Sequence, residues 1–172
     1  MTHPSEAEPD VTRLNALSEE DARERLAACL PVRRWVDEVV AGRPYAAWRD
    51  AEARATAAAA ELDDEELAVA LAGHPRIGER ASDPAHQAEH SAREQAGVDG
   101  SDAGVARALA DGNAAYERRF DRVFLIRAAG RSADEILAEL TRRLGNDDAT
   151  ERAETVTQLR EIALLRLRQV AS

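Results

Sequence analysis

Ser132-Ala133-Asp134-Glu135-Ile136-Leu137-Ala138-Glu139-Leu140-Thr141-Arg142-Arg143-Leu144-Gly145-Asn146 reads as one complete helix with its own start and stop. Ser132 with Glu135 three residues on is a capping box, in which each side chain satisfies a backbone N–H that the first turn leaves bare. Ile136, Leu137, Leu140 and Leu144 recur at three- and four-residue steps and form one apolar stripe. Gly145-Asn146 ends the helix, and Asp147-Asp148 opens the next, predicted over about 148–170.

The same grammar runs through the rest of the chain. Ser18 and Asp21 form a capping box for a helix to about Leu30, and Pro31 suits the first turn of another over about 32–41, which Gly42 and Pro44 stop. An alanine-rich helix is expected over about 45–60. The acidic run Asp63-Asp64-Glu65-Glu66 opens one over about 64–72, closed by Gly73 and Pro75. Two more are expected over about 84–97 and 102–128. In the longer one Asn113, Tyr116, Phe120, Phe124 and Arg127 would share a face. No strand alternation or internal repeat interrupts the pattern. The expectation is an all-α, single-domain bundle of about seven or eight helices spanning 14–172, behind a polar tail over 1–13.

Composition agrees and excludes several functions. The 172 residues are 44% hydrophobic and 33% charged, a globular balance, and only 3% aromatic, too few for the large all-β classes. Net charge is −10, and all 23 basic residues are arginines without a basic cluster, so a nucleic-acid partner is not expected. No apolar run is long enough to cross a membrane. Met1-Thr2-His3-Pro4-Ser5-Glu6 lacks the basic-then-apolar order of a signal peptide, so a cytoplasmic location is expected. Cys29 lies among Ala27, Ala28 and Leu30 and reads as core packing rather than as a nucleophile.

Three places could carry chemistry. His74 precedes Pro75, which pushes it out of helical geometry. It also follows a helix C-terminus, whose partial negative charge favours imidazolium; such a residue serves as general acid or base, or simply caps a carbonyl. Ser91, Glu94 and Gln95 present a hydroxyl, a carboxylate and an amide on one helical face, suited to a small polar ligand or merely solvated. Arg166 falls on the apolar side of the last helix with Leu159, Ile162, Ala163 and Val170. A buried guanidinium needs an internal carboxylate or an anionic ligand, and either reading is open. Arg168 points elsewhere, toward solvent. His86-Gln87-Ala88-Glu89-His90 fits H-x-x-E-H, but the pattern is short and the chain small for a zinc peptidase, so no metal is expected.

His74-Pro75-Arg76-Ile77-Gly78-Glu79, followed by Ser91-Ala92-Arg93-Glu94-Gln95, resembles the signature of the 2-oxo-4-hydroxy-4-carboxy-5-ureidoimidazoline (OHCU) decarboxylases. Leu14-Asn15-Ala16-Leu17-Ser18, Arg33-Arg34-Trp35-Val36, Gly42-Arg43-Pro44-Tyr45, Asn113-x-x-Tyr116-x-x-x-Phe120, Gly130-Arg131-Ser132, Arg143-Leu144-x-Asn146-Asp147 and Leu165-Arg166-Leu167 resemble further family segments in the same order. The resemblance covers about 14–170. It implies a homodimeric all-α enzyme of urate breakdown that uses no cofactor and no metal and converts OHCU to (S)-allantoin and carbon dioxide. Its catalytic histidine and glutamate fall on His74 and Glu94. Its substrate-binding residues fall on Pro75, Ser91, Gln95 and Arg166. Asp121 departs from the family, which has glycine there; in the middle of a long helix this bears on packing more than on catalysis. Glu161 stands where lysine is common. Two other readings are a metal-dependent hydrolase using His86 and His90, and a helical interaction module without catalysis.

Overall fold

The computed structural model describes residues 8–78 and 103–172. Among these the fold is all-α: α1 (Thr12–Ala16), α2 (Glu19–Cys29), α3 (Arg33–Ala41), α4 (Trp48–Ala60), α5 (Asp64–Ala72), α6 (Ala103–Phe120), α7 (Ala133–Arg143) and α8 (Asp148–Ala171). The expected helix over 84–97 lies outside the described residues, and the short α1, unanticipated in the sequence, begins at Thr12. No helix among the described residues is long and apolar enough to cross a membrane. The chain divides into two compact units, one of residues up to Glu61 together with Ile162–Ser172, the other of Leu62–Glu161.

In the first unit, α3 packs on α4 because the buried face of α4 is nearly all alanine: Ala51, Ala55, Ala58 and Ala59. Small side chains let Trp35 of α3 lie flat enough for its indole Nε1 to donate to Ala55 O at 2.9 Å. Arg34 donates to Ala58 O (3.2 Å) and Glu61 O (2.7 Å), satisfying carbonyls that the end of α4 leaves without helical partners. Cys29 is buried as expected.

Two segments singled out in the sequence meet here. The side-chain amide of Asn15 donates to Tyr45 O and accepts from Tyr45 N, both at 2.9 Å. Arg43 donates to Leu14 O (3.0 Å) and Leu17 O (2.9 Å). The Tyr45 hydroxyl donates to Val39 O at 2.7 Å, and its ring lies so close to Gly42 that a Cβ there would collide with it. The Arg43–Pro44 peptide is cis.

In the second unit, Leu109, Tyr116 and Phe120 of α6 and Ile136 and Leu140 of α7 form the core with Ile77, Phe124, Ile126 and Ala128. Asn113, Tyr116 and Phe120 share a buried face of α6, as predicted. The helix, however, ends at Phe120 rather than near 128. Asp121 adopts the left-handed conformation, φ 52°, and the chain continues from it without regular secondary structure. Phe124, Leu125 and Ile126 are all buried, three in succession, which no single face of a surface helix allows. Phe124 still reaches the core, edge-on to Tyr116 with centroids 5.2 Å apart, while Arg127 turns to solvent. Side chains satisfy the backbone of this segment: Leu125 O accepts from Arg143 Nη1 (2.7 Å) and Arg127 N donates to Gln158 Oε1 (2.8 Å). Asp121 therefore stands at a helix terminus with positive φ, a place that favours glycine, and not in mid-helix as expected.

Arg143 and Glu151, 1% and 0% exposed, form a buried ion pair. Arg143 Nε and Nη2 both donate to Glu151 Oε1, at 2.9 and 2.6 Å. Asn146 Nδ2 donates to Glu151 Oε2 at 2.8 Å, and the Tyr116 hydroxyl donates to Oε1. The guanidinium lies 4.7 Å from the Phe124 ring centroid. Burial, reinforced by the bond to Glu151, pushes the Tyr116 hydroxyl up to about 12.

Two stability outcomes follow. Glu151→Gln leaves a buried guanidinium without its counter-charge, and urea unfolding is expected to show a loss of about 3–5 kcal/mol. Asp121→Gly relieves the left-handed conformation and is expected to gain about 0.5–1 kcal/mol in the same measurement. A loss on Asp121→Gly would mean that the aspartate side chain stabilises the turn more than its backbone strains it.

Candidate active site

The loop that carries His74 is built by the end of α5. Asp63 opens that helix with a two-way capping box: its carboxylate accepts from Glu66 N (2.8 Å) while its own N–H donates to Glu66 Oε2 (3.2 Å). Gly73 closes it, and His74 N donates back to Leu71 O at 3.0 Å. His74 thus leaves the helix in a tight turn, and Pro75 keeps it from re-entering helical geometry. His74 and Pro75 are partly buried, Ile77 is 7% exposed in the core, and Gly78 takes positive φ.

The far side of the loop is held by α6. Asn113 Nδ2 donates to Ile77 O at 3.1 Å. Arg76 pairs with Glu117 through two nitrogens: Nη2 donates to Oε2 at 2.8 Å and Nε donates to Oε1. Beside this loop lies a cleft of about 1090 Å³, whose described walls include His74, Pro75, Arg76, Leu67 and Leu71 of α5, Glu117 and Phe120 of α6, Arg122, and Asp148 and Arg152 of α8. Three pairs of charges line it: Arg152 meets Asp64 at 2.9 Å, Arg122 meets Asp148 at 3.4 Å, and Arg76 meets Glu117; Asp121 adds a fourth carboxylate. His74 therefore stands on a wall of mixed charge, with Leu67, Leu71 and Phe120 also lining it.

Arg166 lies on the apolar side of α8, as its spacing predicts, and is 4% exposed. Its Nη1 donates to Ala28 O at 3.3 Å within the first unit. Arg168 is not simply solvated as expected; its guanidinium stacks 5.7 Å from the Trp48 ring centroid. Ser91, Glu94 and Gln95 lie outside the described residues, and so do His86 and His90. The structure brings His74 and Pro75 to one cleft. Asn113 and Glu117 are contacts that the sequence reading did not assign. Asn113 carried a signal, as the one amide on an otherwise aromatic face. Glu117 carried none, since it sits on the flank of that face and looks like any solvated glutamate.

Comparison with known proteins follows the same lines. A family profile described as "OHCU decarboxylase" matches residues 15–168. The chain belongs to the OHCU decarboxylase family. Over 76 residues it is 40% identical to the 2-oxo-4-hydroxy-4-carboxy-5-ureidoimidazoline decarboxylase of Amia calva, a match spanning 44% of this chain and 43% of that relative. Its fold is similar to a solved structure described as "Crystal structure of OHCU decarboxylase in the presence of (S)-allantoin", with TM-score 0.70 and 21% identity over 89% of this chain and 97% of that one. It is also similar to a "Crystal structure of (S)-allantoin synthase", with TM-score 0.67 and 15% identity over 94% of this chain and 54% of that one. At such identities the likeness to the solved structures shows a shared fold.

The Arg76–Glu117 pair has a defined pH dependence. The hydrogen bond and charge of Arg76 hold the Glu117 carboxyl below its ordinary value. Its contribution to stability is therefore complete above the unfolded value and disappears as pH falls through the lower folded one. With side chains 49% and 28% exposed, the pair is partly screened by solvent. Arg76→Ala is expected to lose about 0.5–1 kcal/mol in urea at neutral pH, and progressively less as pH falls below the ordinary carboxylate range and Glu117 takes up its proton. An equal loss at every pH would show that the arginine acts through packing alone.

Proposed function

We propose that the protein decarboxylates OHCU to (S)-allantoin and carbon dioxide in urate breakdown. The observation that carries this reading is a histidine on the wall of a cleft, in a chain whose family match runs over 15–168; the motif resemblance is what assigns that histidine, His74, to catalysis.

The chemistry suits the residues. When the bond to the carboxylate breaks, carbon dioxide leaves and the electron pair stays on the ring carbon, spread into the neighbouring unsaturated ring. The enzyme must stabilise that pair and then deliver one proton to one face. His74, with Glu94, forms the acid–base pair: one member handles the substrate hydroxyl or carboxylate and the other donates the proton, a contribution of about 10²–10⁴-fold. Ser91, Gln95 and Arg166 hold the ureido and ring polar atoms so that a single face meets the donor, and Pro75 shapes the turn that presents His74. Arg166, always cationic, suits the substrate's negative charge. No cofactor or metal is required for these steps. The protein works as a cytoplasmic homodimer with the small molecule as its partner.

The test uses OHCU generated in place from urate and follows the optical activity of the product. The full-length protein is expected to give (S)-allantoin faster than the spontaneous reaction, with the rate unchanged by chelator. His74→Ala and Glu94→Ala are each expected to lose about 10²-fold or more while remaining helical by circular dichroism. Racemic product at the spontaneous rate overturns the proposal. Loss of activity on chelation would favour a metal site at His86 and His90 instead.

A further inference from the structure

The loop from His74 to Ile77 leaves α5 and would be free to pivot about Gly73 and Gly78 unless something beyond α5 held it. Helix α6 holds it twice, from residues one turn apart. The Asn113 amide grips Ile77 O, and the Glu117 carboxylate grips the guanidinium of Arg76 with a two-point contact. Together with the His74 N–H bond to Leu71 O and the buried Ile77 side chain, these contacts leave the imidazole little freedom beyond its own side-chain torsions.

Asn113 is an odd choice if stability alone is at stake. It is 3% exposed, and its Oδ1 has no hydrogen-bond partner, so the amide makes one bond and leaves one acceptor orphaned in the core. Such a group gains little over an apolar side chain of the same shape. What leucine could not supply at that position is a fixed distance to the loop carbonyl.

We propose that Asn113 and Glu117 are positioning residues for His74, clamping its loop at two points so that the imidazole is presented at the cleft from one fixed backbone position. The proposal rests on the decarboxylase reading for its link to rate, but not for the clamp itself.

Two readouts on the full-length protein separate these. The first is steady-state kinetics of allantoin formation for Glu117→Ala, Asn113→Leu and the charge-reversed pair Arg76→Glu/Glu117→Arg. The second is the His74 ring cross-peak in the ¹H–¹³C spectrum, assigned by its disappearance in His74→Ala, with melting temperatures recorded throughout. Glu117→Ala and Asn113→Leu are each expected to lower kcat about ten- to a hundredfold, with KM changed less. The His74 cross-peak is expected to move or broaden while the melting temperature stays near that of the parent. The charge-reversed pair is expected to recover part of the rate lost in Glu117→Ala, which a merely structural glutamate would not permit. The clamp is refuted if both single variants keep kcat within about twofold of the parent, since loss of positioning on this scale is not that mild. It is equally refuted if the His74 cross-peak neither moves nor broadens in either variant. Should Asn113→Leu fail to fold, Glu117→Ala and the reversed pair decide. Should the parent make no allantoin above the spontaneous rate, the functional reading fails, and the cross-peak alone upholds or overturns the clamp.

Discussion

Glu151 places a carboxylate where no water reaches, and the order of the second unit is organised around satisfying it. Arg143 approaches from the end of α7, the Tyr116 hydroxyl from the middle of α6, and Asn146 from the turn between α7 and α8. Three elements are thereby fixed against one charged group. Breaking any member exposes the others to an unmatched polar atom in the core, which is why the group behaves as a unit rather than as separate bonds. The constraint reaches the candidate site through α6. Tyr116 lies between Asn113 and Glu117, so the anchoring of its hydroxyl also sets where those two side chains stand relative to the His74 loop.

A second consequence of the same arginine is the irregular segment after α6. Arg143 donates to Leu125 O and lies over the Phe124 ring. Helical hydrogen bonds normally satisfy a buried backbone; here side chains from α7 and α8 do so in their place. This lets three consecutive apolar residues enter the core together, and it allows α6 to stop at Asp121.

Most helices were legible because their termini are written locally. The capping box at Ser132, the acidic run from Asp63 and the stop at Gly73 lie within a few residues of the ends they mark. The end of α6 was not legible, because its cause is remote: the apolar spacing from Asn113 through Phe124 continues helically, and only the partners of Leu125 and Arg127 reveal that the chain has opened. The glycine that the family resemblance led one to expect at Asp121 was a hint, since glycine favours a helix terminus over mid-helix. In the site, His74 was legible from its place between Gly73 and Pro75. The grip of Asn113 and Glu117 was not, since it joins residues 36 and 41 positions apart and depends on how α6 passes the loop.

The pairing of Asn15 with Tyr45 has a bearing on how the N-terminal region weathers digestion. A primary amide that both gives and takes a hydrogen bond from one residue's main chain mimics the edge of a sheet, so the stretch around Tyr45 is tethered as a strand would be, without being one. A protease needs to draw a peptide out straight into its cleft, and this connection, though irregular in outline, is not available to be drawn. Limited proteolysis of the native protein would accordingly leave the join between α3 and α4 uncut.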